Sequence, residues 1–136
     1  MKVLFICRGN VARSQWAEAL FNHYSKNYRA ISAGTEVNHK EGQTLEKYMH
    51  VCETMALEGV VIGHYRRKQL TPQAIKSSDY VIALIEKIYC PGYLLQNSNV
   101  IYWDVPDPKG ADYETHVRIK DSIKGLVRKL VEELES

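Results

Sequence analysis

The residues most suited to covalent chemistry lie close together near the N-terminus, in the segment Cys7-Arg8-Gly9-Asn10-Val11-Ala12-Arg13-Ser14. Gly9 permits a tight turn in which successive backbone N–H groups converge, and Ser14 is a good residue to start a helix, whose N-terminus carries partial positive charge. The planar guanidinium of Arg13 can donate two parallel hydrogen bonds to an anion. The segment therefore predicts a loop that holds a tetrahedral oxyanion beside the Cys7 sulfur.

The same positive surroundings favour the thiolate form of Cys7, which is the nucleophilic form, and the Ser14 hydroxyl can donate a hydrogen bond to it. Taken alone, Cys7 would be interpreted as a buried residue at a strand end and Arg13 as a solvated helix residue. That interpretation explains neither the glycine nor the Arg-Ser pair at the helix start. We therefore predict that phosphate is bound by the loop residues Arg8, Gly9, Asn10, Val11, Ala12, Arg13 and Ser14.

Thiolate attack on a phosphate ester also requires an acid, because the leaving oxygen must be protonated. The segment Asp104-Val105-Pro106-Asp107-Pro108 offers two carboxylates in a stiff loop just beyond a predicted strand. Asp107 is the better candidate and Asp104 the competitor. The residues alone also allow a simpler interpretation, in which both aspartates only favour a turn.

Alternating apolar strands and amphipathic helices must position these residues. Strands are predicted over 2–7, 28–32, 79–85 and 100–103, and helices from Ser14 onward, over 43–58, from Thr71-Pro72 and over 112–135. This alternation favours an α/β fold, a three-layer sandwich with a four-stranded parallel sheet and helices on both faces. Such sheets bind ligands at the carboxyl ends of their strands, where Cys7 would lie.

Composition limits the remaining possibilities. A chain of 136 residues that is 45% hydrophobic fits one domain, over 1–136, and a net charge of +2 gives no reason to expect a nucleic-acid or membrane partner. The sequence shows neither a membrane-spanning run nor a signal peptide, and its three cysteines are an odd number for a disulfide framework, so a cytoplasmic protein is expected. The scattered histidines form no metal spacing, and we predict neither metal nor cofactor. The basic run at 66–68 is interpreted as solvated surface.

These residues resemble the low-molecular-weight protein tyrosine phosphatase family, which shares its fold with thioredoxin-coupled arsenate reductases. The resemblance spans nearly the whole chain and includes the Cys7 loop, Ser32-Ala33-Gly34-Thr35, Ile62-Gly63-His64 and Pro106-Asp107-Pro108. It implies Cys7 as nucleophile, Arg13 as phosphate clamp and Asp107 as general acid, with a phosphocysteine intermediate. It further implies a supporting polar network formed by Asn10, Ser14, Ser32 and His64.

The implied activity is hydrolysis of phosphate monoesters, with a phosphorylated protein or a small aryl phosphate as substrate and inorganic phosphate or another tetrahedral oxyanion as ligand. Protein phosphotyrosine is the first expectation, although Lys109-Gly110 follows Asp107 where the phosphatases often have tyrosines. Position 12 is alanine, where many of these phosphatases carry a second, protective cysteine.

Arsenate reductase is the alternative, because the helix start from Arg13 to Glu18 resembles the reductase version and arsenate is nearly isosteric with phosphate. The reductases relay a disulfide through two further cysteines. Cys90 resembles the second of these, but no cysteine lies between Asp79 and Tyr89 to act as the first, and Cys52 is predicted to be core. The sequence therefore favours phosphatase over reductase.

Overall fold

The computed structural model describes residues 1–136 and contains one parallel sheet of four strands in the order β2-β1-β3-β4. The strands are β1 (Lys2–Cys7), β2 (Arg29–Gly34), β3 (Tyr80–Ala83) and β4 (Ile101–Tyr102). The central strand β1 pairs with β2 along its whole length, up to Cys7 opposite Gly34, and with β3 on its other side. Because all strands are parallel, their carboxyl ends meet at one edge of the sheet.

Helices cover both faces of this sheet. They are α1 (Arg13–Tyr24), α2 (Met49–Ala56), α3 (Pro72–Lys76), α4 (Gly92–Leu95) and α5 (Tyr113–Glu135). Val3 and Phe5 point into a cluster of 21 buried residues shared with α1, α2 and α5, whereas Leu4 and Ile6 point into a cluster of 9 shared with α3 and α4. This alternation along β1 buries both faces of the strand, and it confirms the predicted three-layer α/β fold.

The predicted helix starts are correct where a capping residue marks them. The Asp112 carboxylate accepts a hydrogen bond of 2.9 Å from the Thr115 nitrogen at the start of α5, and Thr71 Oγ1 accepts one of 3.2 Å from the Ala74 nitrogen at the start of α3. These side chains satisfy N–H groups that the first helical turn leaves free. No helix in the chain is long and apolar enough to cross a lipid bilayer.

The predicted helix over 43–58 is wrong at its N-terminal end, because α2 begins only at Met49. The preceding residues bond to another segment instead: Thr44 forms an antiparallel bridge with Arg66, and the Leu45 nitrogen donates to the carbonyl oxygens of Gly63 and Tyr65. A backbone that is bonded to a distant segment cannot also bond within a helix. The short helix α4 and the 3-10 turns at 38–40 and 87–89 were not predicted.

Candidate active site

The segment between β1 and α1 forms a loop at the carboxyl edge of the sheet, with Cys7 at its start and Arg13 at its end. The end of β2 packs directly against this loop. A Cβ atom at Gly34 would lie 2.7 Å from the carbonyl oxygen of Arg8 and 2.8 Å from the nitrogen of Asn10, which is closer than real Cβ contacts. Glycine is therefore required at position 34 for the neighbouring strand to support the loop.

Cys7 lies at the base of the loop and is almost fully buried. Its Sγ atom lies 2.9 Å from Ser14 Oγ, and Asn10 Nδ2 donates a hydrogen bond of 2.8 Å to the same Ser14 oxygen. Because Ser14 Oγ accepts from Asn10, its own hydrogen is free to point at sulfur. This geometry suits a thiolate, since a donated hydrogen bond stabilises the negative charge.

Asn10 organises the buried side of the loop and adopts a left-handed backbone conformation with φ of 55°. Its Nδ2 atom also donates to Ser32 Oγ at 3.0 Å, and Ser32 in turn donates to Glu18 at 2.8 Å. Its Oδ1 atom accepts from Gln15 Nε2 at 2.9 Å and from the Lys68 nitrogen at 2.8 Å. One asparagine thus joins the loop to β2, to α1 and to the segment that precedes α3.

The structure brings together three of the four residues that the sequence assigned to this network and leaves out the fourth. Asn10, Ser14 and Ser32 are in direct contact. His64 is exposed, makes no hydrogen bond to the loop, and packs edge-on against Tyr65 with ring centroids 5.0 Å apart. The stretch around 66–68 approaches the loop in its place.

Arg13 is buried, and its guanidinium donates to two acceptors and faces a third, a carboxylate at ion-pair distance. Nη1 donates to Glu86 Oε1 at 2.7 Å and to the Val105 carbonyl oxygen at 3.2 Å, and Nη2 lies 3.6 Å from Asp107 Oδ2. The Arg13 hydrogen bond holds the pKa of Glu86 below its ordinary value. The arginine is therefore fixed by residues that follow β3 and β4, at the same sheet edge as Cys7.

The two candidate acids differ in position. Asp107 lines the cavity above the loop, and its Oδ1 atom accepts a hydrogen bond of 3.0 Å from the Lys109 nitrogen, so the second carboxylate oxygen faces Arg13. Asp104 is exposed and does not line the cavity. Of the two aspartates, only Asp107 therefore shares the cavity with Cys7 and Arg13.

The loop forms the floor of a cavity of about 710 Å³. Part of its wall is apolar or aromatic and is formed by Val11, Tyr48 and Met49. The charged residues among the lining form a separate set: Arg8, Arg13, Glu36, Lys40, Arg67, Asp107 and Lys109. Each of the two carboxylates already faces an arginine, Glu36 facing Arg8 and Asp107 facing Arg13. The cavity thus has an excess of cations, which suits an anionic ligand.

Sequence reasoning missed three residues that contact the loop: Gln15, Glu86 and Arg67. Glu86 follows β3 at the carboxyl edge of the sheet, and the rule that placed Cys7 there could have identified it. Arg67 is buried, so interpreting the whole run at 66–68 as solvated surface was wrong for this residue. Nowhere do three His, Cys, Asp or Glu side chains group so as to hold a metal ion.

Fold and loop together define a class of α/β proteins with an anion-binding loop and a buried cysteine at the end of the first strand. The chain belongs to the low molecular weight phosphotyrosine protein phosphatase family, whose sequence model matches residues 2–136. It is an enzyme of that family, and its relatives include both phosphatases and arsenate reductases.

The structure matches the low molecular weight protein tyrosine phosphatase from T. tengcongensis with a TM-score of 0.85 and 29% identity, covering 98% of this chain and 99% of the other. Arsenate reductase 1 of Staphylococcus epidermidis is 28% identical over 128 residues, 92% of this chain and 91% of the reductase. The protein-arginine-phosphatase of Bacillus subtilis is 25% identical in a match that covers 99% of this chain and 97% of the phosphatase.

Proposed function

We propose that this protein is a cysteine-dependent phosphatase that hydrolyses aryl phosphate monoesters, with protein phosphotyrosine as the natural substrate class. The observation that carries the proposal is the position of the Cys7 sulfur. It lies beside a hydroxyl donor 2.9 Å away, at the floor of a cavity that Arg13 and Asp107 also line. Nucleophile, anion clamp and acid therefore face one space.

In the proposed reaction the loop N–H groups and Arg13 hold the phosphoryl oxygens, and the Cys7 thiolate attacks phosphorus. A phosphorus–sulfur bond forms while the bond to the ester oxygen breaks, and Asp107 gives its proton to the leaving phenolate. Water then attacks the phosphocysteine, and Asp107 takes a proton from that water. Inorganic phosphate is released and the Cys7 thiolate is restored, so no other reactant is needed.

The cavity lining supports an aryl ester over a phosphorylated arginine, the substrate class named for the Bacillus subtilis relative. Val11, Tyr48 and Met49 offer apolar contact to a ring. A guanidinium-derived leaving group would instead meet the excess of cations around the cavity, while both carboxylates already face arginines. We therefore expect faster hydrolysis of phosphotyrosine than of phosphoarginine.

The direct test is hydrolysis of an aryl phosphate without added metal. Cys7→Ser should abolish turnover, and Asp107→Asn should slow it by about a hundredfold or more, chiefly for poor leaving groups that need protonation. Asp104→Asn is the matched control and should behave as wild type, because Asp104 lies outside the cavity. Wild-type protein that releases no phosphate from acidic to neutral pH would refute the proposal.

Arsenate reduction is the second candidate, because the Staphylococcus epidermidis relative is an arsenate reductase and Cys90 lines a shallow pocket beside the mouth of the cavity, with Glu36 common to both. Burial raises the pKa of the thiols of Cys90 and Cys52, which disfavours the thiolates that a disulfide relay uses. Arsenite formation with thioredoxin that is lost in Cys90→Ser would favour the reductase. We expect no such formation.

A further inference from the structure

A second arginine, Arg67, lies buried beside the anion-binding loop without a carboxylate partner. Only 5% of its surface is exposed. Its Nε atom donates to the Gly9 carbonyl oxygen at 3.0 Å, and Nη1 donates to Gln43 Oε1 at 2.9 Å and to the Tyr48 hydroxyl at 3.0 Å. All three acceptors are uncharged, although a buried charge usually has an ionic partner.

The remaining nitrogen, Nη2, donates to no atom of the protein. It lies 3.4 Å from the position that a Cβ atom would take at Gly9, so it is next to the loop, and the arginine lines the cavity. The other two arginines of the cavity differ in this respect, because Arg13 faces Glu86 and Asp107 and Arg8 faces Glu36. Arg67 therefore has an unused donor pair and no ionic partner, and its side chain lines the cavity.

We propose that Arg67 binds a second anionic group of the substrate, a carboxylate carried next to the phosphorylated ring. This inference rests on the proposed function, because it concerns the substrate of the same site. Arg13 and the loop would hold the phosphoryl group, while Nη2 of Arg67 would hold the carboxylate. The carboxylate can belong to the ring itself in a small molecule, or to an acidic residue beside phosphotyrosine in a protein.

Lys40 and Lys109 also line the cavity and also lack ion pairs, but both are exposed. Salt screens such charges strongly, whereas a buried cation is screened much less. A preference for a second anion that persists at high ionic strength therefore points to Arg67. The preference should amount to about tenfold in kcat/KM, the order expected for one charge-assisted hydrogen bond.

The experiment compares substrates of nearly equal size and shape, one member of each pair carrying a carboxylate and the other an amide, at high ionic strength. One arm pairs 3-carboxyphenyl phosphate with 3-carbamoylphenyl phosphate, and the other pairs phosphotyrosine peptides that carry Glu or Gln beside the phosphotyrosine. We expect about a tenfold preference for the anionic member in at least one arm, and the arm that shows it identifies the source of the carboxylate. A ratio near one in both arms for wild-type enzyme overturns the proposal.

Variants then assign the preference to a residue. Arg67→Gln should bring the ratio close to one, and Arg67→Lys should keep part of it. Arg66→Gln is the matched control and should leave the ratio unchanged, because the Arg66 side chain is exposed and donates to the Gly42 carbonyl oxygen away from the loop. A preference that survives in a folded Arg67→Gln overturns the proposal. If Arg67→Gln does not fold, an undiminished ratio in Arg67→Lys overturns the proposal.

The uncharged substrates separate this proposal from the proposed function. If 3-carbamoylphenyl phosphate is hydrolysed without any preference for its carboxylate partner, only the Arg67 proposal fails. If no phosphate ester is hydrolysed, the proposed function fails, and Arg67 is then judged by binding. Calorimetry with 3-carboxybenzyl and 3-carbamoylbenzyl phosphonate should still give about tenfold tighter binding of the carboxylate. Equal affinities would overturn the Arg67 proposal.

Discussion

The polar network that supports the loop and the mouth of the cavity above the loop are built in different ways. The support network, made of Asn10, Ser14, Gln15 and Ser32, lies on the buried side of the loop, outside the cavity lining, and is joined by hydrogen bonds between neutral groups. The mouth, made of Glu36, Lys40, Asp107 and Lys109, is exposed and charged. The difference suggests that the support network holds the nucleophile and the loop in place, whereas the mouth selects the substrate.

Among the changes that test this difference, the largest effect is expected for Asn10→Ala, which removes the centre of the support network. The change leaves buried partners unpaired and puts alanine in a left-handed conformation, so we expect a loss of about 3 kcal/mol in the free energy of unfolding. We also expect kcat/KM to fall by about a hundredfold, because Ser14 and the loop lose their support. Denaturant unfolding and steady-state kinetics measure the two effects.

Asn38→Ala is the matched control for Asn10→Ala. Asn38 has the same φ of 55°, but it is exposed at the edge of the cavity. It should lose only about 1 kcal/mol, the cost of the backbone conformation itself. Equal losses in the two variants would show that the Asn10 hydrogen bonds contribute nothing beyond the backbone term.

A smaller effect is expected for Glu86→Gln, which tests the junction between the two regions. The amide still accepts from Arg13 but without charge, so kcat/KM should fall by about fivefold. Because Arg13 lowers the pKa of Glu86, the carboxylate is ionised throughout the neutral and mildly acidic range. The advantage of wild type should therefore be constant there and shrink only when the pH falls below about 4.3, the ordinary pKa of a glutamate. A ratio that already declines near pH 6 would contradict this account.

The smallest effect is expected for Glu36→Gln at the mouth. Glu36 pairs with Arg8, and both side chains are almost half exposed. Exposed ion pairs contribute little, so the free energy of unfolding should change by less than about 0.5 kcal/mol. For an aryl phosphate whose ring carries no charged substituent, kcat/KM should change by less than about twofold. A loss as large as that of Asn10→Ala would remove the distinction between the mouth and the support network.

The parts of the molecule that depend on local signals could be predicted from the sequence. The apolar run of β1, the glycine-containing loop and the capping residues Thr71 and Asp112 each act on neighbouring backbone, and the structure has these elements where expected. The fold class followed from the alternation of such elements. Asn10, Ser14 and Ser32 were named from the resemblance, and they lie together.

The wrong predictions concern residues whose surroundings are set by contacts between segments that are far apart in the sequence. Arg67 was placed on the surface with its basic neighbours, but the chain around it bonds to 42–45 and to Gly9, and this contact buries it. The same contact shortens α2 at its start. His64 was named by resemblance alone and lies exposed. No local pattern reports which side of such a segment faces the loop.

The proposed function depends above all on Cys7 acting as a nucleophile toward phosphorus. The most direct measurement is rapid acid quenching of the enzyme during turnover of an aryl phosphate, followed by mass spectrometry of the peptide that contains Cys7. We expect a phosphoryl group on Cys7 that accumulates in Asp107→Asn when the leaving group is good, because loss of the base slows hydrolysis of the intermediate. Turnover with no phosphorylated Cys7 in either protein, or undiminished turnover by Cys7→Ser, would contradict it.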